Sequence, residues 1–222
     1  MLIETLVTYF FMFTRPIPQT HVDLTPLFPT VFNQGKTNSC TAQAVTSVAM
    51  FHERDALISR LDLYYQSRDD PAIDDGASIQ NTMNILEYGT VCNEYLWPFS
   101  ARSVMSQPPV KCVQKRRHHT TLQPFQIPSN SVSIAYAVRM KRPVIVGTIL
   151  TETFMDSDVR VPSVSEPVIA KHAMVVVGVT EQNKYFILRN SWGTKWKTNG
   201  SIVVPRLFID RFIISSWILQ RF

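Results

Sequence analysis

Glycine is scarce in this chain, seven in 222 residues, which excludes collagen-like sequence and long Gly-rich linkers. Cysteine is scarcer still, with Cys40, Cys92 and Cys112 alone. A secreted chain of this size that depends on disulfides usually carries more, in even number, so the sequence reads as that of a reducing compartment with one bridge at most. Charged residues make up 18%, and their net charge of +5 is too small to argue for nucleic-acid binding. No internal repeat recurs at periods of about 20 to 50 residues, so solenoids and propellers are out. The longest apolar stretch, Leu6 to Phe13, falls far short of the roughly 20 residues that span a bilayer. It also makes a poor signal peptide: no basic residue precedes it, Glu4 lies before it, and Arg15-Pro16 follows it where a small-residue cleavage site belongs. No Cys-x-x-Cys, HExxH, P-loop or dinucleotide fingerprint occurs, and no cofactor is expected.

What remains is an ordinary globular composition, 45% hydrophobic and 11% aromatic, long enough for one large domain or two compact halves. From Cys40 to about Tyr88 the pattern is helical. Ala42, Val45, Val48, Ala49 and His52 recur at three and four, with Ser39 placed as an N-cap, and shorter helices are read at Asp62 to Ser67 and Ala77 to Tyr88. A Pro-rich loop stretch runs from Val91 to Pro128. Strand-like runs follow at 143–149, 174–179, 185–188 and 201–204, with Asn199-Gly200 read as a hairpin turn. Helices followed by strands fit an α+β architecture with a seam near residue 125.

Cys40 begins the first helix, where unpaired amides and the helix dipole favour a thiolate. Alone, such a cysteine is better read as an inert core residue. His172 heads an apolar strand, a poor place for a core side chain. Asn190, in Asn190-Ser191-Trp192-Gly193, offers a carboxamide oxygen to fix an imidazole tautomer beside an indole. Each has a plain alternative, a capped surface histidine and an ordinary turn.

Together they carry a resemblance. Gln34-Gly35-Lys36-Thr37-Asn38-Ser39-Cys40 resembles the glutamine-to-cysteine segment of papain and the cathepsins; His172 follows Cys40 by 132 residues and Asn190 follows His172 by 18. Leu63-Tyr64-Tyr65, Asp74-Asp75-Gly76-Ala77-Ser78-Ile79, Leu96-Trp97-Pro98-Phe99, 142–147 and 216–219 are similar to segments of a microbial and large-virus branch of papain-like peptidases. The resemblance implies a papain-like α+β fold of two subdomains, a helical one over 22–125 and an antiparallel β-barrel-like one over 126–222, with a cleft between them. It implies a thiol-dependent endopeptidase in which Cys40 is the nucleophile, His172 the base and acid in an imidazolium–thiolate pair, Asn190 its orienting partner and Gln34 a donor of the oxyanion hole. Trp192 would cover the His–Asn bond, and Asp75, Gly76, Thr41, Lys171 and Ala173 would border the substrate. A polypeptide substrate follows, for a monomer that uses no cofactor, nucleic acid or membrane, in a reducing cytoplasm or packaged in a virion.

Departures from the pattern leave these groups in place. Thr37 stands where the resemblance has a disulfide cysteine, Asn38 replaces a glycine in a swap that tolerates a left-handed backbone, and Thr41 replaces a wall tryptophan. The leader, residues 1–21, is too short for a long propeptide and is expected to act as a plug or activation segment. Two other readings stay open: a non-catalytic peptide-binding scaffold on the same fold, and a thiol hydrolase of isopeptide or side-chain amide bonds. Lys115 to His119 reads as a solvated basic loop, the Asp69-Asp70 and Asp74-Asp75 pairs as solvated carboxylates, and Cys92 and Cys112 as loop thiols, though a bond between them is compatible with the sequence.

Overall fold

The computed structural model describes residues 21–118, 121–156, 163 and 165–221. The leader, read from sequence as a plug, lies outside the described residues apart from His21. The first helical pattern becomes α1 (Cys40–His52), whose residues from Thr41 to Ala49 are all buried, so the helix is covered on every side there. α2 (Arg60–Ser67) and α3 (Ile79–Tyr88) are each capped by a serine, Ser59 accepting from the Asp62 amide and Ser78 from the Asn81 amide. α4 (Val110–Gln114), α5 (Ser131–Arg139), α6 (Glu152–Asp156) and α7 (Arg206–Phe212) complete the helices among the described residues.

Seven strands form one antiparallel sheet: β1 (Val22–Asp23), β2 (Leu122–Gln126), β3 (Val144–Leu150), β4 (Ala170–Val179), β5 (Tyr185–Arg189), β6 (Ser201–Pro205) and β7 (Ile213–Arg221). The order is β2-β7-β3-β4-β5-β6. β1 joins β4 through Val22 opposite Val179 and Asp23 opposite Gly178, where β3 no longer reaches. The sheet does not close: β2 and β6 are its edges, so the barrel-like expectation is met by an open sheet. The 143–149, 174–179, 185–188 and 201–204 runs become β3 to β6. Asn199 and Gly200, both at positive φ (49° and 78°), make the expected turn.

Cys92 and Cys112 are joined by a disulfide, against the plainer reading of two loop thiols, and Cys40 is the free cysteine. The bond fastens α4 to the loop behind α2. There the Cys92 amide donates to the fully buried Asp62 at 2.8 Å, and Arg116 closes a salt bridge to the same carboxylate at 2.6 Å. One cation of the basic run is therefore structural rather than solvated. α1 packs on β4, so the helix that begins at Cys40 lies against the strand that carries His172.

Candidate active site

Ser39 occupies the N-cap of α1 but its hydroxyl caps no amide. It faces the Thr37 hydroxyl at 2.8 Å and accepts from Gln43 Nε2 at 3.1 Å. The first amides of α1 are thus left to the cysteine, and those of Cys40 and Thr41, with that of Ala173 from β4, act on the sulfur. Burial pushes the Cys40 thiol up; these three amides pull it down, and the nearby Asp74 carboxylate adds a smaller upward push.

His172 is 7% exposed, and burial lowers its imidazole to about 4, a shift opposed by its bond to Asn190. Its Nε2 lies 2.7 Å from Asn190 Oδ1. The Ser191 amide donates to that same Oδ1 at 2.7 Å, so the atom is an oxygen and must receive a proton from Nε2. The tautomer is therefore set, with Nδ1 left to exchange a proton. The Trp192 indole lies over the ring, centroids 4.8 Å apart, and Trp196 meets Trp192 edge-on. Burial favours the uncharged form of each group while its partner is neutral. An imidazolium and a thiolate formed together would each supply the other's missing counter-charge.

Gln34 is buried. It accepts from Ser191 Oγ at 2.5 Å through Oε1 and donates to the Thr37 carbonyl at 2.6 Å through Nε2, leaving one N–H of the amide uncommitted. Ser191 thus holds both carboxamides, Asn190 by its amide and Gln34 by its hydroxyl. No role for it was read from sequence, although it stands inside the Asn190–Gly193 motif.

These groups meet in one open cleft of about 550 Å³. Gln34, Cys40, Asp75, Gly76, Lys171, His172 and Trp192 all line it, as expected from the resemblance. Thr41 and Ala173 do not. Thr41 turns inward from the first turn of α1 and is buried with its hydroxyl unpartnered. Ala173, one residue after His172 on a pleated strand, faces the opposite side and shares a small void with Ala44 and Ser47 of α1. Only its amide serves the sulfur. Nothing in the sequence marked the far wall, Leu150, Met155, Ile169 and Ala170, which the fold brings over from the end of β3, from α6 and from the start of β4 with the residue before it.

Asn38 is not among the residues at positive φ. Its side chain donates to the Asp74 carbonyl and its amide to the Asp74 carboxylate, so Asn38 makes no use of the left-handed backbone it would tolerate and links two loops instead.

The model of the papain family cysteine protease matches residues 24–210. The chain belongs to this family. A similar relative of this papain-family chain is an uncharacterised peptidase C1-like protein of Acanthamoeba polyphaga mimivirus, 29% identical over 213 residues that cover 85% of this chain and 68% of the relative. Among solved structures, xylellain, a cysteine protease from Xylella fastidiosa, superposes with a TM-score of 0.82 at 23% identity, covering 93% of this chain and 87% of its own. Digestive procathepsin L 3 from Tenebrio molitor larval midgut gives 0.74 at 20% identity over 94% and 72%. At these identities the structures support the fold, a papain-like one, and the family match makes the chain a cysteine protease.

Proposed function

We propose that this papain-family chain is a thiol-dependent endopeptidase acting on extended polypeptide through Cys40, His172, Asn190 and Gln34. The observation that carries the reading is the opening of Cys40, His172 and Gln34 onto one cleft while Asn190 fixes the imidazole proton on Nε2. With Nδ1 free, His172 takes the thiol proton as the sulfur adds to the scissile carbonyl carbon. The oxygen becomes an oxyanion and receives hydrogen bonds from the Cys40 amide and the uncommitted N–H of Gln34, each such donor worth about 3 kcal/mol in the transition state. His172 then gives its proton to the departing amine. Water, deprotonated by the same nitrogen, attacks the thioester and returns the free thiol and a carboxylic acid.

The test is intact mass after incubation with an epoxysuccinyl peptide, on wild type and Cys40→Ala. A single adduct on Cys40, absent from the variant, is expected, followed by internal cleavages in a peptide-library digest. A chain left unmodified both with and without residues 1–20 would overturn the reading.

A further inference from the structure

The wall that faces an extended substrate, Asp75-Gly76, and the nucleophile, Cys40, sit on separate pieces of chain, the loop before α3 and the start of α1. Something must fix one against the other, because a misplacement of about 1 Å between a substrate wall and a reacting atom costs on the order of 10²-fold in rate. The residue at position 37 is threonine, so no disulfide starts there. Instead, the Asn38 amide donates to both carboxylate oxygens of Asp74 (3.1 and 3.2 Å), and the Asn38 side chain donates to the Asp74 carbonyl. From the other side the Tyr64 hydroxyl donates to Asp74 Oδ1 at 2.6 Å and accepts from the Gly76 amide at 3.1 Å. Tyr64 is itself immobilised. It is fully buried, and the Arg68 guanidinium lies 4.5 Å from its ring centroid while donating to the Ile73 carbonyl at 2.9 Å. Gly76, at φ +101°, brings its backbone beside Asn38, the Asn38 carbonyl lying 3.8 Å from where a Cβ would stand.

We propose that Asp74 is a positioning residue: with Tyr64 and Asn38 it clamps the Asp75-Gly76 wall to the Cys40 loop and so sets the recognition of extended peptide without touching the reacting atoms. The inference rests on the peptidase reading above. The clamp stands where a covalent link is missing, and it spends the Gly76 N–H on Tyr64. That leaves the Gly76 carbonyl as the backbone group of this glycine open to substrate. The Asp74 carboxylate also lies near enough to Cys40 to oppose its ionisation, so its two effects on the cleft can be separated.

The experiment compares two reagents at Cys40, the free cysteine: iodoacetamide, which needs only the sulfur, and an epoxysuccinyl peptide, which needs the wall as well. The variants are Asp74→Asn, of equal size, and Tyr64→Phe, which removes the bridging hydroxyl alone. Matching thermal melts establish that both are folded. The epoxide-to-iodoacetamide rate ratio is expected to fall at least tenfold in each variant. Iodoacetamide at neutral pH is expected to react with Asp74→Asn at or above the wild-type rate, and with Tyr64→Phe at the wild-type rate. A ratio unchanged in both variants, or two rates that fall together, overturns the clamp. A chain that reacts with iodoacetamide and never with the epoxide, with or without residues 1–20, overturns the peptidase reading instead, and the clamp with it, because no peptide wall would then need positioning.

Discussion

At the scale of single residues, the division of labour around Ser191 makes a sharp expectation. Gln34 keeps one N–H free because its oxygen is occupied by the Ser191 hydroxyl and its other N–H by the Thr37 carbonyl. Gln34→Ala removes that donor and should lower kcat on peptides by about 10²- to 10³-fold, with KM far less affected; steady-state kinetics check it. His172 makes a second expectation, on pH. In Cys40→Ala no thiolate is available, and burial holds the imidazole near 4 against an ordinary 6.5. The unfolded chain then binds the extra proton, so stability is full above about pH 6.5 and is lost as the pH falls through 4. Chemical denaturation of Cys40→Ala at pH 7 and pH 4 should show a loss about 3 kcal/mol greater than the same comparison on Cys40→Ala/His172→Gln. These residues were legible in the sequence because type, order and spacing constrain each other. Thr41 and Ala173 lie off the cleft because the neighbours of Cys40 on a helical turn and of His172 on a pleated strand point away from it. The link made by Asn38 was not legible because its partner, Asp74, is 36 residues away.

At the scale of elements, the runs that announced themselves were those with one clear period: α1, and β3 to β6. The missed ones had conflicting signals. β2 carries Pro124, a residue that removes a ladder donor, and it is tolerated because β2 is an edge strand bonded only to β7. α7 runs from Phe212 straight into β7 at Ile213 with neither glycine nor proline between them, so no punctuation marked the change of period. The junction of α2 with α4 makes a quantitative expectation. Asp62 is fully buried and holds both Arg116 and the Cys92 amide. Asp62→Ala strands both donors and should cost about 3–5 kcal/mol, read as a drop in urea midpoint. Arg206→Ala, which breaks an exposed pair with Asp210, should cost about 1 kcal/mol or less.

At the scale of the whole molecule, two sulfur chemistries coexist. In the proposed reaction Cys40 must stay reduced, whereas Cys92–Cys112 closes a loop across a sequence separation of 20. Breaking that bond should cost about 3 kcal/mol, seen as a lower Tm in Cys92→Ala/Cys112→Ala than in wild type without reductant. The sequence left this pairing open because two cysteines in a loop-rich stretch fix no geometry. The lie of α1 against β4 has a consequence of another kind. Three strands hold β4, with β3 and β5 flanking it and β1 at its far end, and α1 covers it. The backbone amides of this strand have no cheap local route to solvent. In deuterated buffer those of 173–177 should rank among the slowest to exchange, opening only as the entire chain opens. A peptidase built this way loses the alignment of Cys40 with His172 only when it loses its fold, so heat inactivation and global melting should fall at one temperature.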